Sequence, residues 1–432
     1  MYVNLMDKRI AFYTLGCKVN QYESDSMMDM LRACGAVIVP FEKEADIYVI
    51  NTCSVTNMAD RKSRQIIHRA RKNNQNGIVV ACGCYVQAAR DELVNDNSVD
   101  LVIGNNRKKD IARILDEYFE DRNKVSDNYI DVNATTEYES MTLVKPSEHT
   151  RAYVKVQDGC NNFCTYCIIP YTRGRIRSRE LSEVVEEVTG LAGQGIKEVV
   201  VTGINLSSYN DSKGNRLTEL LMAISNIDGI LRIRMGSLEP GIITGEFLMN
   251  ISSRPKICPH FHLSLQSACN DTLKRMNRKY TIEEYMEKCE LIRACFDRPA
   301  ITTDVIVGFP GETDEEFDIT VSNLKKLNLY EMHIFKYSRR NGTIAADMPN
   351  QVKDEIKEKR SSCLLDMTRK QKQEYEESFK GENVDILVEK WEKAGDKYYI
   401  KGHTDRYMLI SSPIDEAEKE NLVNKIVTVR AV

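Results

Sequence analysis

The chain has no run approaching the ~18 consecutive apolar residues of a membrane-crossing helix, so no spanning segment is expected. Its first residues, MYVNLMDKRIAFY, lack the basic-then-apolar order of an export signal, and a cytoplasmic location is expected. Positive charge is not in surplus. Lys and Arg number 60 against 64 Asp and Glu, so a nucleic-acid partner would have to be met by local patches. There is no internal repeat or low-complexity tract, which excludes solenoids. With 42% apolar and 29% charged residues over 432 positions, the composition is that of a globular protein of two or three domains. What the sequence does have is cysteine: 13, an odd number, in a chain too long to need disulfide staples. Such clusters in a cytosolic protein point to metal binding or catalysis.

Along residues 8–120, apolar runs at 9–16, 45–51 and 77–83 alternate with helical patterns, which predicts a doubly wound α/β domain with a parallel sheet. Each run leads to a cysteine: Cys17, Cys53 and Cys84. The carboxyl ends of parallel strands share one edge, where ligands bind, so the three can meet. Residues 121–145 read as a polar linker with at most a short strand. From 146 to 372, six strand patterns (RAYVKVQ, KEVVVTGIN, LRIRMGSL, FHLSLQS, ITTDVIVGF, EMHIFKYS) separated by helices predict a partial (β/α)6 barrel. A charged helix near 351–378 leads to residues 375–432, whose four short strands predict a small antiparallel β-barrel of the oligonucleotide-binding type. That tail is not basic: residues 370–432 hold 11 Lys and Arg against 13 Asp and Glu.

The stretch CNNFCTYC places Cys160, Cys164 and Cys167 directly after the first barrel strand. Three thiolates leave one position open on a four-coordinate metal or on one iron of a four-iron cluster, and soft sulfur suits iron. The competing reading is structural zinc with a distant fourth ligand. The Cys-x3-Cys-x2-Cys spacing at the start of such a barrel resembles the radical S-adenosylmethionine enzymes, in which the methionine amino and carboxylate groups fill the open iron site. Over nearly the whole chain, in order, TLGCKVNQYESD, INTCSVTNMADRKSRQ, GCYVQ, CNNFCTYCIIPYTRGRIRSR, HLSLQSACNDTLKRMNRKYT and TDVIVGFPGET resemble the methylthiotransferases. The tail resembles their TRAM module. The resemblance implies two 4Fe–4S clusters, one held by Cys160, Cys164 and Cys167 and an auxiliary one held by Cys17, Cys53 and Cys84, with S-adenosylmethionine as cofactor. Cys82 rivals Cys84, since both would point the same way if ACGCYVQ were extended. Cys34, Cys258, Cys269, Cys289, Cys295 and Cys363 lack ligand spacing.

Asn205, Glu239 and Gln266 follow successive barrel strands, where the methionine carboxylate and ribose of the cofactor would need polar partners, and Gly308 lies in a loop suited to close approach. Arg173, Arg175, Arg177 and Arg179 alternate; at strand spacing they would share one face and contact RNA phosphate or the cofactor. RKSRQIIHRARK at 61–72 is a second basic stretch, equally readable as a solvated face.

Within the family, Lys-Val-Asn-Gln after Cys17 resembles the branch that methylthiolates C2 of N6-threonylcarbamoyladenosine at tRNA position 37. The alternatives are the same chemistry on isopentenyladenosine or on a ribosomal-protein aspartate. From a different class, an RNA-binding protein with structural metal sites remains, as does a radical enzyme that only methylates. The expected partners are the tRNA anticodon arm, an electron donor of flavodoxin or ferredoxin type and a sulfur source, with the protein a monomer.

Overall fold

The computed structural model describes residues 3–121, 128–144, 146 and 150–431. Five parallel strands open the chain: β1 (Arg9–Thr14), β2 (Val37–Val39), β3 (Ile47–Thr52), β4 (Ile78–Gly83) and β5 (Leu101–Ile103), in the spatial order β2-β1-β3-β4-β5. All six residues of β3 and of β4 are buried, as a sheet covered on both faces requires. On one face Ile10, Val49 and Val80 pack with Met27 and Leu31 of α1 (Lys18–Ala33) and with Ile114 and Leu115. On the other, Ala11, Ile50 and Val79 pack with Ile66, Ile67 and Ala70 of α2 (Asn57–Asn73), whose N-cap, Thr56, accepts from the Ala59 amide. The domain is therefore doubly wound. The strand order reverses between β1 and β3, which is where such sheets leave a binding crevice.

The second unit comprises β6 (Arg151–Asp158), the short β7 (Arg177–Ser178), β8 (Glu198–Gly203), β9 (Arg232–Met235), β10 (His260–His262), β11 (Ala300–Val307) and β12 (Glu331–Lys336). Apart from the antiparallel β7, these six strands run parallel in chain order; bridges Ile233–Ile257 and Leu238–Leu263 join β9 to the β10 segment. Among the described residues no pairing joins β12 to β6, so the barrel is open. The six strands are those expected from the sequence.

The third unit is an antiparallel sheet of β13 (Asn383–Ala394), β14 (Lys397–Thr404), β15 (Leu409–Ile414) and β16 (Ile426–Arg430), ordered β15-β14-β13-β16, a half barrel. It docks on the strand-start end of the larger barrel. Tyr407 stacks on His260 at 5.2 Å and on His403 at 4.4 Å, with the Arg234 guanidinium 4.7 Å from its ring. Arg232 and Arg234 donate to the His403, Asp385 and Asp405 carbonyls, each at 2.8 Å. The carboxyl ends of the barrel strands are left to the cysteine loops.

Of the expected linker 121–145, residues 122–127 and 145 lie outside the described residues, as do 147–149 at the start of the barrel segment. The described part has no strand, and it packs closely: Met141 and Leu143 are buried, and Glu139 accepts from the Asn106 and Lys109 amides at 3.1 and 2.9 Å.

Candidate active site

The auxiliary set is assembled where the sheet order reverses. Cys17 follows β1, Cys53 follows β3 and Cys84 opens the helix α3 (Cys84–Ala88) after β4. A Cβ placed on Gly16 would lie 3.0 Å from Cys53 Sγ, and one on Gly83, whose φ is +96°, would lie 2.4 Å from the Thr52 carbonyl oxygen. Only glycine permits these turns to approach so closely. Burial pushes the Cys53 thiol up to about 12, with the charge of Cys84 adding to it. Burial is the largest influence on the Cys17 thiol and raises it, while the Arg173 charge opposes it.

The positive φ of Gly83 turns the chain between Cys82 and Cys84. The segment is not extended through Cys84. Cys82 stays in the sheet core, fully buried, with Sγ 3.6 Å from the Ile50 carbonyl oxygen, while Cys84 turns out of it. Of the remaining cysteines, Cys258, Cys269 and Cys289 are buried, Cys34 and Cys295 half-buried and Cys363 exposed.

At the barrel mouth, burial likewise pushes Cys167 up to about 12, followed by the charges of Cys164 and Cys160. Thiols raised this far stay protonated unless a metal displaces the proton. Each set has one sulfur served by arginine: Arg173 Nε donates to Cys84 Sγ and an Arg278 terminal nitrogen to Cys164 Sγ, both at 3.2 Å. Hydrogen bonds to sulfur of this kind tune iron–sulfur sites. Three thiols with arginine support fit a 4Fe–4S cluster with one iron left open.

Of the proposed cofactor contacts, Asn205 lies 3.7 Å from Cys160 through Nδ2, and its Oδ1 is buried without a partner, an acceptor available to a bound group. Glu239 accepts from Arg278 at 2.6 Å. Gln266 has a φ of +72° and pairs its backbone with β11. The Gly308 turn is crowded by Lys357, whose Cγ would lie 2.3 Å from an added Cβ; this close approach is to the helix Asp354–Glu377.

The four arginines do not share one face. Arg173 ends the helical turn Ile169–Thr172, and only Arg177–Ser178 are strand. Arg173, Arg177 and Arg179 are buried, committed to internal carboxylates. Arg173 bonds Glu23 and lies 3.3 Å from Asp158; Arg179 bonds Glu187 and Tyr22; Arg177 lies 3.9 Å from Asp158. An internal ion pair excludes a simultaneous phosphate contact, so of the four only the exposed Arg175, stacked 4.5 Å from the Phe163 ring, remains free for RNA. On α2, Arg64 donates to Tyr85 at 2.7 Å, while Arg61 and Lys62 are exposed.

Sequence reasoning missed the groups that weld the two domains. Glu23 of α1 accepts from Lys108, Lys155 (2.8 Å) and Arg173, and Asp158 accepts from Lys155 at 2.7 Å. Arg340, beyond β12, donates to Ser54 at 2.7 Å and Asn57 at 2.8 Å, beside Cys53. Nothing local marks these residues, because their partners lie far away in sequence.

Comparison with known proteins agrees with this geometry. Residues 9–104 match the family described as "Uncharacterized protein family UPF0004", and residues 154–324 match the radical SAM superfamily. The chain is 38% identical over 424 residues to the threonylcarbamoyladenosine tRNA methylthiotransferase MtaB of Bacillus subtilis, covering 98% of this chain and 93% of that one. It is 35% identical over 434 residues to a tRNA-2-methylthio-N(6)-dimethylallyladenosine synthase of Carboxydothermus hydrogenoformans, covering 99% and 97%. In fold it is similar to a radical S-adenosylmethionine methyltransferase from Kitasatospora setae, with a TM-score of 0.57 and 16% identity over 79% of this chain and 77% of that one. Two three-thiol sets on two welded α/β domains, with relatives matched end to end, place the chain in the methylthiotransferase family of the radical S-adenosylmethionine superfamily.

Proposed function

We propose that this protein adds a methylthio group to C2 of N6-threonylcarbamoyladenosine at position 37 of tRNA. The observation that carries the reading is that Arg173, which follows the loop of one three-thiol set, reaches across the domain contact and donates to Cys84 of the other at 3.2 Å. Each set suits a 4Fe–4S cluster with one open iron, one site for S-adenosylmethionine and one for the sulfur to be transferred. Bound there, these groups supply one-electron chemistry able to reach an unactivated adenine C–H.

The chain's own residues hold, orient and enclose. Cys160, Cys164 and Cys167 hold one cluster and Cys17, Cys53 and Cys84 the other. The unpartnered Asn205 Oδ1 accepts from the methionine amino group, and Arg278 fixes Glu239 beside Cys164. The Glu23–Lys155–Asp158–Arg173 network fixes the separation of the two sites, which supports a reaction that depends on proximity. Exposed Arg175 and α2 contact RNA phosphate near the mouth. The C-terminal sheet, a TRAM-like module docked at the opposite end of the barrel, grips the anticodon arm away from the reacting base. A flavodoxin or ferredoxin type of donor, a separate sulfur source, a monomeric state and a cytoplasmic setting complete the reading. Among the described residues no helix is long and apolar enough to cross a membrane.

The identities of 38% and 35% to relatives of the two tRNA branches are too close to choose a substrate alone. Lys18, in the Lys-Val-Asn-Gln stretch, favours the acidic one. The test is nucleoside mass spectrometry of tRNA from a host lacking its own enzyme, with and without this gene. The expected product is 2-methylthio-N6-threonylcarbamoyladenosine. The methylthio-isopentenyl product would keep the chemistry and correct the acceptor, and neither product from cluster-loaded protein would overturn the tRNA reading.

A further inference from the structure

Outside the two cysteine sets, one group of side chains has the make-up of a metal site. His262 of β10, Asp304 of β11 and His333 of β12 lie on three neighbouring parallel strands. Asp304 is paired directly with His333, and His262 with Thr302, two residues before Asp304. Side chains alternate along a strand, so the three share one face. Phe261, Ile301, Val305 and Met332 take the other face and pack in the apolar core, which leaves the three to the barrel interior.

The spacing is that of ligands around one ion. His333 Nδ1 lies 3.1 Å from Asp304 Oδ1, and His262 Nε2 lies 3.4 Å from Asp304 Oδ2. Donors about 2.1 Å from a common ion stand roughly 3.0 Å apart at right angles and roughly 3.4 Å apart at tetrahedral angles. All three donor atoms fall within 4.8 Å of one another, so a small rotation of the half-exposed His333 ring closes the set. His262 also has the outer partner that a ligating imidazole uses to fix its orientation. Its Nδ1 lies 3.0 Å from Thr302 Oγ1, which directs Nε2 to the site.

The charge has the right sign for a cation. No lysine or arginine among the described residues lies within ion-pair distance of Asp304, whose partners are the two imidazoles. Arg151 and Arg234, on β6 and β9, are matched by Glu198 and Glu389. At His333 the Asp304 hydrogen bond leads in favouring positive charge and the Asp304 and Glu331 charges add to it, while the Lys18 charge opposes them with less effect. Two imidazoles and a carboxylate, without a thiol, suit a zinc or ferrous ion rather than an iron–sulfur cluster, and three protein ligands leave positions open.

We propose that His262, Asp304 and His333 bind one divalent transition ion of the zinc or ferrous kind inside the barrel, separate from the two clusters, with its remaining positions open to water or another oxygen donor. A proton that either ring shares with Asp304 leaves as the ion enters.

The test uses the full-length protein with both clusters reconstituted, dialysed anaerobically against buffered zinc, with zinc and iron counted on the same samples. Wild type should retain about one zinc per chain more than His333→Ala and Asp304→Asn, at unchanged iron. Either substitution should weaken zinc binding at least about a hundredfold, and Thr302→Val about tenfold, as loss of an outer partner does. X-ray absorption at the zinc edge should show nitrogen and oxygen neighbours with imidazole scattering. The half-exposed His333 can be truncated without opening the core, so His333→Ala decides should Asp304→Asn lose iron. Equal zinc in wild type and His333→Ala, no zinc in either, or a shell of sulfur at the zinc overturns the site and leaves two histidines hydrogen-bonded to one carboxylate.

Discussion

Replacing Cys84 and, separately, Cys82 by alanine gives the sharpest test of how the auxiliary site is built. The two cysteines are two residues apart, and an extended chain would offer both sulfurs to one ligand. The strand ends at Gly83, with φ at +96°, so Cys82 points into the sheet core and Cys84 starts α3 beside Arg173. Cys84→Ala should therefore lower iron from about eight to about four per chain after anaerobic reconstitution, the content of one remaining 4Fe–4S cluster. Its fold should survive, because Arg173 keeps Glu23, Asp158 and Asn20 as partners. Cys82→Ala removes one buried sulfur at a cost of about 1 kcal/mol and should keep all of the iron. The assay is iron and sulfide determination with far-UV circular dichroism on the same samples. Loss of half the iron from Cys82→Ala, with full retention in Cys84→Ala, would refute the geometry.

Two further perturbations probe the charges that position the site. Arg173→Met leaves Glu23 with Lys108 and Lys155, so the loss should fall near the lower end of the ~3–5 kcal/mol typical of breaking a buried pair, read as a lowered urea midpoint of the reconstituted protein; Arg173→Lys should not rescue it, because a single ammonium cannot serve Cys84, Glu23 and Asn20 together. An unchanged midpoint would mean that the network is not what joins the domains. For Glu198, burial acts to raise the carboxyl, but Arg234 and Arg151 overcome it and hold it down to about 2. The stabilisation is then present above the ordinary carboxylate range and lost as pH falls from about 4.5 towards 2, some ~3 kcal/mol. Glu198→Gln should flatten the acid limb of a stability-versus-pH curve measured on metal-free protein, and an unaltered limb would count against the assignment.

The architecture was legible in the sequence to the extent that it is carried by local pattern. The six barrel strands and the three cysteines following β1, β3 and β4 could be read because apolar runs and their terminal residues are local signals. β2 and β5, three residues each, are too short for alternation to register. The arginine alternation from 173 to 179 misled, because period-two spacing implies a common face only in a strand, and the regular strand here is Arg177–Ser178. The fates of these arginines are set by Glu23 and Glu187, one of them 150 residues from Arg173 and the other on a following helix. Arg340 and Lys155 carry no motif of their own. Each acquires meaning from a partner on another strand or another domain.

The placement of charge explains why a family that needs two clusters uses two separately folded α/β units. Each unit offers one ligand-binding edge, and a single edge would crowd two clusters and a substrate together. Facing the crevice between β1 and β3 towards the mouth of the open barrel sets two edges opposite each other. Such an arrangement works only if the gap is fixed, since a methylthio donor and an activated carbon must meet at contact distance. Apolar packing alone, being non-directional, would allow the two domains to slide. The buried carboxylate Glu23 takes Lys108 from its own unit and Lys155 and Arg173 from the barrel, while Asp158 anchors those same two barrel cations, and together they permit one register. Their desolvation is costly, and that cost is offset only when every partner is in place, which ties the geometry of the site to the integrity of the domain contact.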